Sequence, residues 1–232
     1  MRINEDYIDT VGSDELIDDS ALSMDVRQNV EWLLAGHHTN IDFYIIDRPI
    51  YKVKSTAELK ELISICFNKY GNGCSLNWMD VSTIQDMSYI FSYCQYEFDV
   101  SKWNVSSVLD MTGMFYKSVF NNDISNWNVS KVKTMENMFY GSEFNKDISR
   151  WNVSKVTDMN GMFSNSSFNK DISKWNVSNV WNMTGMFCNS KFDKDISSWN
   201  IKENAGIKYM FLQCPIRDEF KPKRLQILNH DD

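Results

Sequence analysis

The sequence predicts an α/β solenoid of about six coils, each built from one short strand and one short helical turn, with an N-terminal helical cap. Tryptophans recur every 24 residues along most of the chain, at Trp103, Trp127, Trp151, Trp175 and Trp199. The first four of these tryptophans open an extended Trp-Asn-Val segment, after which valine, methionine and phenylalanine follow at helical spacing. A fixed period of about 20–50 residues is typical of repeat proteins, in which each unit covers the apolar side of the next.

The repeat divides the chain into four parts. An acidic arm with a small α/β segment precedes a capping helix, and a short tail follows the solenoid. In order, these parts span residues 1–50, 51–75, 76–220 and 221–232. The end coils depart from the pattern, since Met79 takes the tryptophan slot of the first coil and Asn204 replaces an inner valine of the last. Atypical terminal units are expected of a capped array.

A capping box marks the start of the predicted cap helix. Ser55 and Glu58 are spaced so that their side chains can satisfy backbone N–H groups at the helix start. Gly71 supplies the C-terminal stop. We expect this helix to cover the apolar interior of the first coil. Its inward residues are predicted to be Leu59, Leu62, Ile63, Cys66 and Phe67.

The region before this helix carries shorter patterns. Apolar residues between Ser23 and Gly36 fit a helix, and Ile41–Ile46 fits a strand. The pair His37 and His38 lies between them in a predicted loop.

Residues that recur in every coil are predicted to be structural. The tryptophans share a strand face with valines, which indicates a buried stack, and methionine pairs fill the interior. The asparagine after each tryptophan is expected to satisfy backbone groups at a corner. We expect the recurrent aspartates to cap turns rather than to bind Ca²⁺, and we expect no metal and no cofactor. These aspartates are Asp123, Asp147, Asp171 and Asp195.

The alternation of side chains within one coil requires a bend. Ile124 has the opposite parity to Trp127 and Val129, so a single flat strand cannot bury all three. A bend or a bulge is therefore predicted between Ser125 and Trp127.

The five cysteines are scattered, with no Cys-x-x-Cys pair, and are predicted to be reduced, buried thiols. Cys94 and Cys214 stand in a slot that serine holds in the other coils, which indicates that they act there as small residues.

The net charge of −7 resides in the N-terminal arm. Residues 1–25 contain eight acids and one base, and the other 23 acids and 23 bases cancel. This balance argues against nucleic acid as the partner, because phosphate recognition needs a basic face. No apolar segment near the first residues and no run of 18 apolar residues occurs, so we expect no signal peptide and no membrane span. By default the expected location is the cytoplasm or a virion.

The repeat resembles a known family. Residues 144–163, with the sequence Phe-Asn-Lys-Asp-Ile-Ser-Arg-Trp-Asn-Val-Ser-Lys-Val-Thr-Asp-Met-Asn-Gly-Met-Phe, look like the BspA-like leucine-rich repeats of bacterial surface proteins. The lead-in from Ala57 to Ser82 is also similar to the start of such arrays, and the resemblance covers about residues 52–216. It implies a leucine-rich-repeat-like solenoid with a role in adhesion or protein binding. Relatives occur in bacteria, protists and large DNA viruses.

Positions that vary between coils are the candidates for binding. Trp181 breaks the pattern of its slot and is a candidate solvent-facing hot spot. Neighbouring slots lean basic and form a candidate stripe, which contains Lys131, Lys133, Lys155, Arg150 and Lys174.

Three functions remain open at this point. The first is a non-catalytic scaffold that binds a protein or, alternatively, a glycan. The second is a structural subunit of an assembly such as a viral particle, in which the acidic arm docks onto a neighbour and the chain self-associates. The third is an enzyme with a site in residues 1–50; the repeats themselves contain no histidine and no phosphate-binding loop.

Overall fold

The computed structural model describes residues 51–227. The acidic arm, the helix predicted from Ser23, the histidine pair, the strand predicted at Ile41–Ile46 and the end of the tail lie outside the described residues.

The regular elements lie mainly at the two ends of this range. In chain order they are β1 (Tyr51–Lys52), α1 (Thr56–Tyr70), β2 (Cys74–Ser75), β3 (Met79–Asp80), β4 (Phe98–Asp99), a 3₁₀ helix (Asp218–Phe220) and α2 (Lys223–Ile227). Strand β1 pairs in parallel with β3, and β2 pairs in parallel with β4. In these pairs Tyr51 is opposite Met79 and Cys74 is opposite Phe98.

Helix α1 begins at the predicted capping box. The Ser55 hydroxyl accepts a hydrogen bond from the Glu58 N–H at 3.2 Å. The Glu58 carboxylate in turn accepts from the backbone N–H of Lys54, one residue before the expected donor. The helix is followed by Gly71, whose φ of 62° and ψ of −133° form a backbone conformation that glycine adopts without steric cost. Leu59, Leu62, Ile63 and Cys66 are buried as predicted, and Phe67 is partly buried.

The repeat units are joined by a ladder of backbone hydrogen bonds. Met111, Gly113, Phe115 and Lys117 donate from alternate residues to the carbonyls of the next unit, over 2.7–3.1 Å. The same pattern recurs at each junction, where parallel bridges join Asp86 to Asp110, Asp110 to Thr134, Thr134 to Asp158, Asp158 to Asn182 and Asn182 to Gly206. Each unit therefore stacks directly on the one before it.

The local conformation of the units differs from the expected strand and helical turn. Between Val100 and Arg217 the described chain contains isolated bridges and turns, without an assigned helix or strand. Bonds such as Val108 N–H to Val105 and Met114 N–H to Met111 close these turns. Two positions in each unit have positive φ, and a left-handed residue interrupts both a helix and a strand. These positions are Tyr89, Gly113, Asn137, Gly161, Gly185 and Tyr209 in one column, and Tyr93, Lys117, Gly141, Asn165, Asn189 and Gln213 in the other.

A single hydrophobic core runs through all the units. Phenylalanines of successive units stack with ring centroids 5.5–5.8 Å apart, as Phe115 and Phe139 do at 5.5 Å. The repeated tryptophans are 4 % exposed, and the paired methionines of the four regular units are fully buried. These burials confirm the prediction that the most regular residues form the core.

Candidate functional site

One side of the stacked units is formed by the segment around each tryptophan. We call it the basic face and define it by residues 102–109, 126–133, 150–157, 174–181 and 198–205. Backbone bonds hold these segments side by side. The N–H of Lys133 donates to Leu109 at 2.8 Å, that of Thr157 to Lys133 at 2.8 Å, and that of Trp181 to Thr157 at 2.9 Å.

The basic face carries almost only positive charge. Its single acid is Glu203. Its seven bases, all exposed, are Lys102, Lys131, Lys133, Arg150, Lys155, Lys174 and Lys202. Stacking of the units places Lys131 and Lys155 at equivalent positions of adjacent units, although they are 24 residues apart in sequence. Arg150 also lines a surface depression with Asp123 and Asp147.

The other two sides of the units are acidic. Over the same five units, the segments equivalent to 110–116, here the bridge face, contain three acids and one base. The segments equivalent to 117–123 in these five units, here the aspartate edge, contain eight acids and six bases. Charge is thus segregated by face, which the near-neutral composition of the repeat region conceals.

Trp181 projects from the basic face into solvent. Its side chain is 54 % exposed, whereas the tryptophans of the core are buried. Its backbone is fixed on both sides, because its N–H donates to Thr157 and its carbonyl accepts from Gly206 at 2.8 Å. The pattern break at this position thus marks an aromatic side chain that a rigid backbone holds in solvent.

All six residues predicted as binding candidates lie on the basic face and are exposed. Within residues 51–227, none of the five candidate cations forms an ion pair within 4.0 Å. They are Lys131, Lys133, Lys155, Arg150 and Lys174. Arg150 and Lys174 border the aspartate edge, where they help to lower the pKa values of Asp147 and Asp171. Lys131, Lys133 and Lys155 lie farther from that edge along the chain.

The recurrent aspartates cap turns, as the sequence predicts. Asp147 accepts a hydrogen bond from the backbone N–H of Ser149 at 2.8 Å. Each of the other three aspartates, Asp123, Asp171 and Asp195, likewise accepts from the backbone N–H of the serine two residues after it. These bonds are the main cause that lowers the pKa of each carboxyl. Across residues 51–227, no group of three or more histidine, cysteine or acidic side chains is arranged to hold a metal ion.

Exposed tyrosines near the first units were missed by the sequence reasoning. Tyr89 and Tyr93 are 49 % and 61 % exposed. Tyr116 and Tyr140 stack in parallel with centroids 4.8 Å apart, and the Lys117 ammonium lies 5.6 Å from the Tyr116 ring. Tyr89 occupies a position that glycine or asparagine holds in the next four units. It therefore departs from the repeat pattern as Trp181 does, and that departure is the sequence signal that would have identified it.

The cysteines differ in exposure. Burial raises the pKa of the Cys66 thiol to about 12 and that of Cys74 to about 11. Both thiols are therefore protonated at neutral pH. Only a deprotonated thiolate is a strong nucleophile. The prediction of full burial is wrong for Cys188 and Cys214, which are half-buried. The catalytic alternative in residues 1–50 lies outside the described residues.

Comparison with known proteins gives one family. The model of DUF285, described as "Mycoplasma protein of unknown function", matches residues 61–166 and again residues 120–221. Overlapping matches of this kind are what an internal repeat produces. No curated protein and no solved structure matches the chain. Among residues 51–227, no helix has both the length and the apolar character needed to cross a membrane.

Proposed function

The chain belongs to the DUF285 family, and we propose that it is a non-catalytic scaffold that binds a protein partner through the basic face. In this proposal the stacked units are a leucine-rich-repeat-like solenoid, and their role is to hold that face rigid. A rigid surface loses little conformational entropy on binding, which favours affinity.

The observation that carries the proposal is the segregation of charge. Seven bases and one acid share the basic face, while the bridge face and the aspartate edge are both acidic. A surface of one sign attracts a partner of the opposite sign and fixes its orientation. The complementary partner is therefore an acidic surface or segment.

Trp181 gives this face a candidate anchor. Tryptophan is enriched among the residues that dominate binding energy, above all when polar contacts surround it. Thr157 and Lys133 precede it in the same column of the basic face, so the indole continues the column that carries Lys133. An acidic protein segment with an apolar side chain would satisfy both features.

Nucleic acid fits the whole molecule less well than an acidic protein does. The chain has a net charge of −7, and two of the three sides of the repeat are acidic. A polyphosphate that extends beyond the basic face would meet repulsion on both sides. A glycan would use Trp181 but has no need for seven cations.

The proposal is tested by affinity capture with matched variants. Lys131→Glu with Lys155→Glu reverses two charges at the centre of the basic face, and Lys146→Glu with Lys191→Glu makes the same change on the aspartate edge. A true partner binds the wild type and the edge variant, and its affinity for the basic-face variant falls about tenfold or more. Trp181→Ala should weaken the same complex by about thirtyfold.

The measurement is the dissociation constant for each purified candidate, and circular dichroism checks that each variant is folded. Equal affinity for the basic-face and edge variants would contradict the proposal. Preferential binding of single-stranded RNA or of a glycan array to the basic face would mean that the partner is a nucleic acid or a glycan and not a protein.

A further inference from the structure

The chain itself contains an acidic segment that matches the basic face. Residues 1–25 contain eight acids and one base, a net charge of −7. The basic face has seven bases and one acid, a net charge of +6. The two parts are thus nearly equal and opposite in charge, and they belong to one polypeptide.

The described chain begins beside the basic face. Strand β1 pairs with β3, and the Tyr51 N–H donates to the Trp78 carbonyl at 3.1 Å. Met79, opposite Tyr51, holds the slot that tryptophan occupies in later units. The column of that slot is the centre of the basic face, so residues 1–50 join the structure at the N-terminal end of this face.

The connecting chain is long enough to reach every cation of the face. With the predicted helix up to Gly36 at about 1.5 Å per residue and the remainder at roughly 3.3 Å per residue, residues 25–51 can span up to about 65 Å. Five stacked segments, spaced at about 4.8 Å, extend about 20 Å from first to last. The reach therefore exceeds the length of the face several times over.

We propose that the acidic residues 1–25 dock on the basic face of the same molecule and compete there with the partner. The inference rests on the proposed function, because it assigns this intramolecular ligand to the same surface. A tethered segment has an effective concentration in the millimolar range for short flexible linkers, well above the concentration of a second copy in dilute solution. Docking within one molecule is thus favoured over exchange between molecules.

Occupancy of the face by the arm lowers the apparent affinity for any competing ligand. The apparent dissociation constant equals the intrinsic constant divided by the fraction of molecules in which the face is unoccupied. If the arm covers the face for about 70–90 % of the time, neutralising it should strengthen binding by about three- to tenfold.

The first experiment maps the contact in the full chain by zero-length crosslinking of carboxylates to lysine amines. We expect links from Asp14, Glu15, Asp18 and Asp19 to Lys131, Lys133 and Lys155. They should be suppressed at about 1 M salt, where the screening length is about 3 Å. Lys146 and Lys191 on the aspartate edge are exposed control amines.

An equal mixture of ¹⁴N- and ¹⁵N-labelled chains separates the two geometries. Links that contain only one isotope support docking within a molecule. If half of the crosslinked pairs join a ¹⁴N peptide to a ¹⁵N peptide, the arm docks on a second copy, and this result overturns the inference. Equal linkage to the control lysines also overturns it.

The second experiment measures binding of a defined probe, poly-L-glutamate of about 20 residues. The arm variant Asp14→Asn, Glu15→Gln, Asp18→Asn and Asp19→Asn should bind the probe three- to tenfold more tightly than the wild type. Unchanged affinity overturns the docking of the arm. The proposed function is judged separately, by whether Lys131→Glu with Lys155→Glu weakens the partner complex in the presence of the neutralised arm.

Discussion

The indole N–H of Trp151 donates to the carbonyl oxygen of Ile124, 27 residues earlier, over 3.1 Å. Every repeated tryptophan makes this bond to the preceding unit. The other pairs are Trp103 with Leu76, Trp127 with Val100, Trp175 with Ile148 and Trp199 with Ile172. The bond satisfies a polar group in the core and fixes how far each unit is displaced along the next.

Replacing this donor should destabilise the array. Trp151→Phe removes the indole donor, while the Ile124 carbonyl keeps the Trp127 N–H as its other donor at 3.1 Å. The loss is therefore that of one hydrogen bond, about 0.5–1.5 kcal/mol. Trp78 is the matched control, because its buried indole N–H has no hydrogen-bond partner in the described part of the chain. We expect Trp151→Phe to lower the free energy of unfolding by about 0.5–1.5 kcal/mol more than Trp78→Phe does. Urea denaturation measures both, and equal losses would show that the indole bond contributes nothing.

The left-handed position at Gly185 allows a test of backbone strain. Its φ is 60°, and an added Cβ would have only the Cβ of Cys188 nearby, at 3.8 Å. Gly185→Ala should therefore cost about 1–2 kcal/mol through conformation alone. Asn137 holds the same column at a φ of 53°, so Gly185→Asn should cost less than Gly185→Ala. The midpoints of thermal unfolding of the two variants test this expectation. An alanine variant as stable as the wild type would contradict the predicted backbone strain.

Stability should decrease in acid because of the capping aspartates. Backbone N–H donors lower the pKa of Asp123, Asp147, Asp171 and Asp195. A lowered pKa gives stability that is complete above the unfolded value of about 3.9 and is lost as the pH falls through the folded value. The fourfold Asp→Asn variant keeps an acceptor oxygen and loses this titration. Its free energy of unfolding should fall less between pH 5 and pH 3 than that of the wild type, and parallel profiles would refute the assignment.

The buried thiols should resist alkylation in the folded protein. Cys66 is 1 % exposed and its pKa is raised to about 12, whereas Cys188 is half-buried. We expect iodoacetamide at pH 8 to label Cys188 first and Cys66 only after denaturation, because labelling needs an accessible thiolate. Peptide mass spectrometry follows the order. Labelling of Cys66 at the rate of Cys188 would mean that α1 does not stay packed.

The sequence predicts the composition of the core well and the backbone path poorly. The 24-residue period identifies the buried tryptophans and the capping aspartates, since each repeats with its local partners. The predicted bend before Trp127 is present, because its N–H donates to Ile124 at 3.1 Å and closes a turn there. The two left-handed columns were not predicted. Glycine and asparagine mark some of their positions, but Tyr93 and Lys117 are not residues that normally indicate positive φ.

The candidate site was predicted residue by residue but not as a surface. Trp181 and the basic slots stand out as variable positions in an otherwise constant repeat. Their arrangement depends on which segments face the same side, and the net charge of the repeat region gives no sign of it. The predominance of positive charge on the basic face therefore becomes visible only once the units are stacked.

The central claim is that the basic face is the binding surface. The most direct measurement is the salt dependence of the dissociation constant of a captured partner, between about 50 and 500 mM salt, where surface charge pairs are progressively screened. The wild type and the Lys146→Glu, Lys191→Glu variant should show the same steep dependence, and Lys131→Glu with Lys155→Glu should flatten it. A slope that the basic-face variant leaves unchanged, or that only the aspartate-edge variant alters, would contradict the claim.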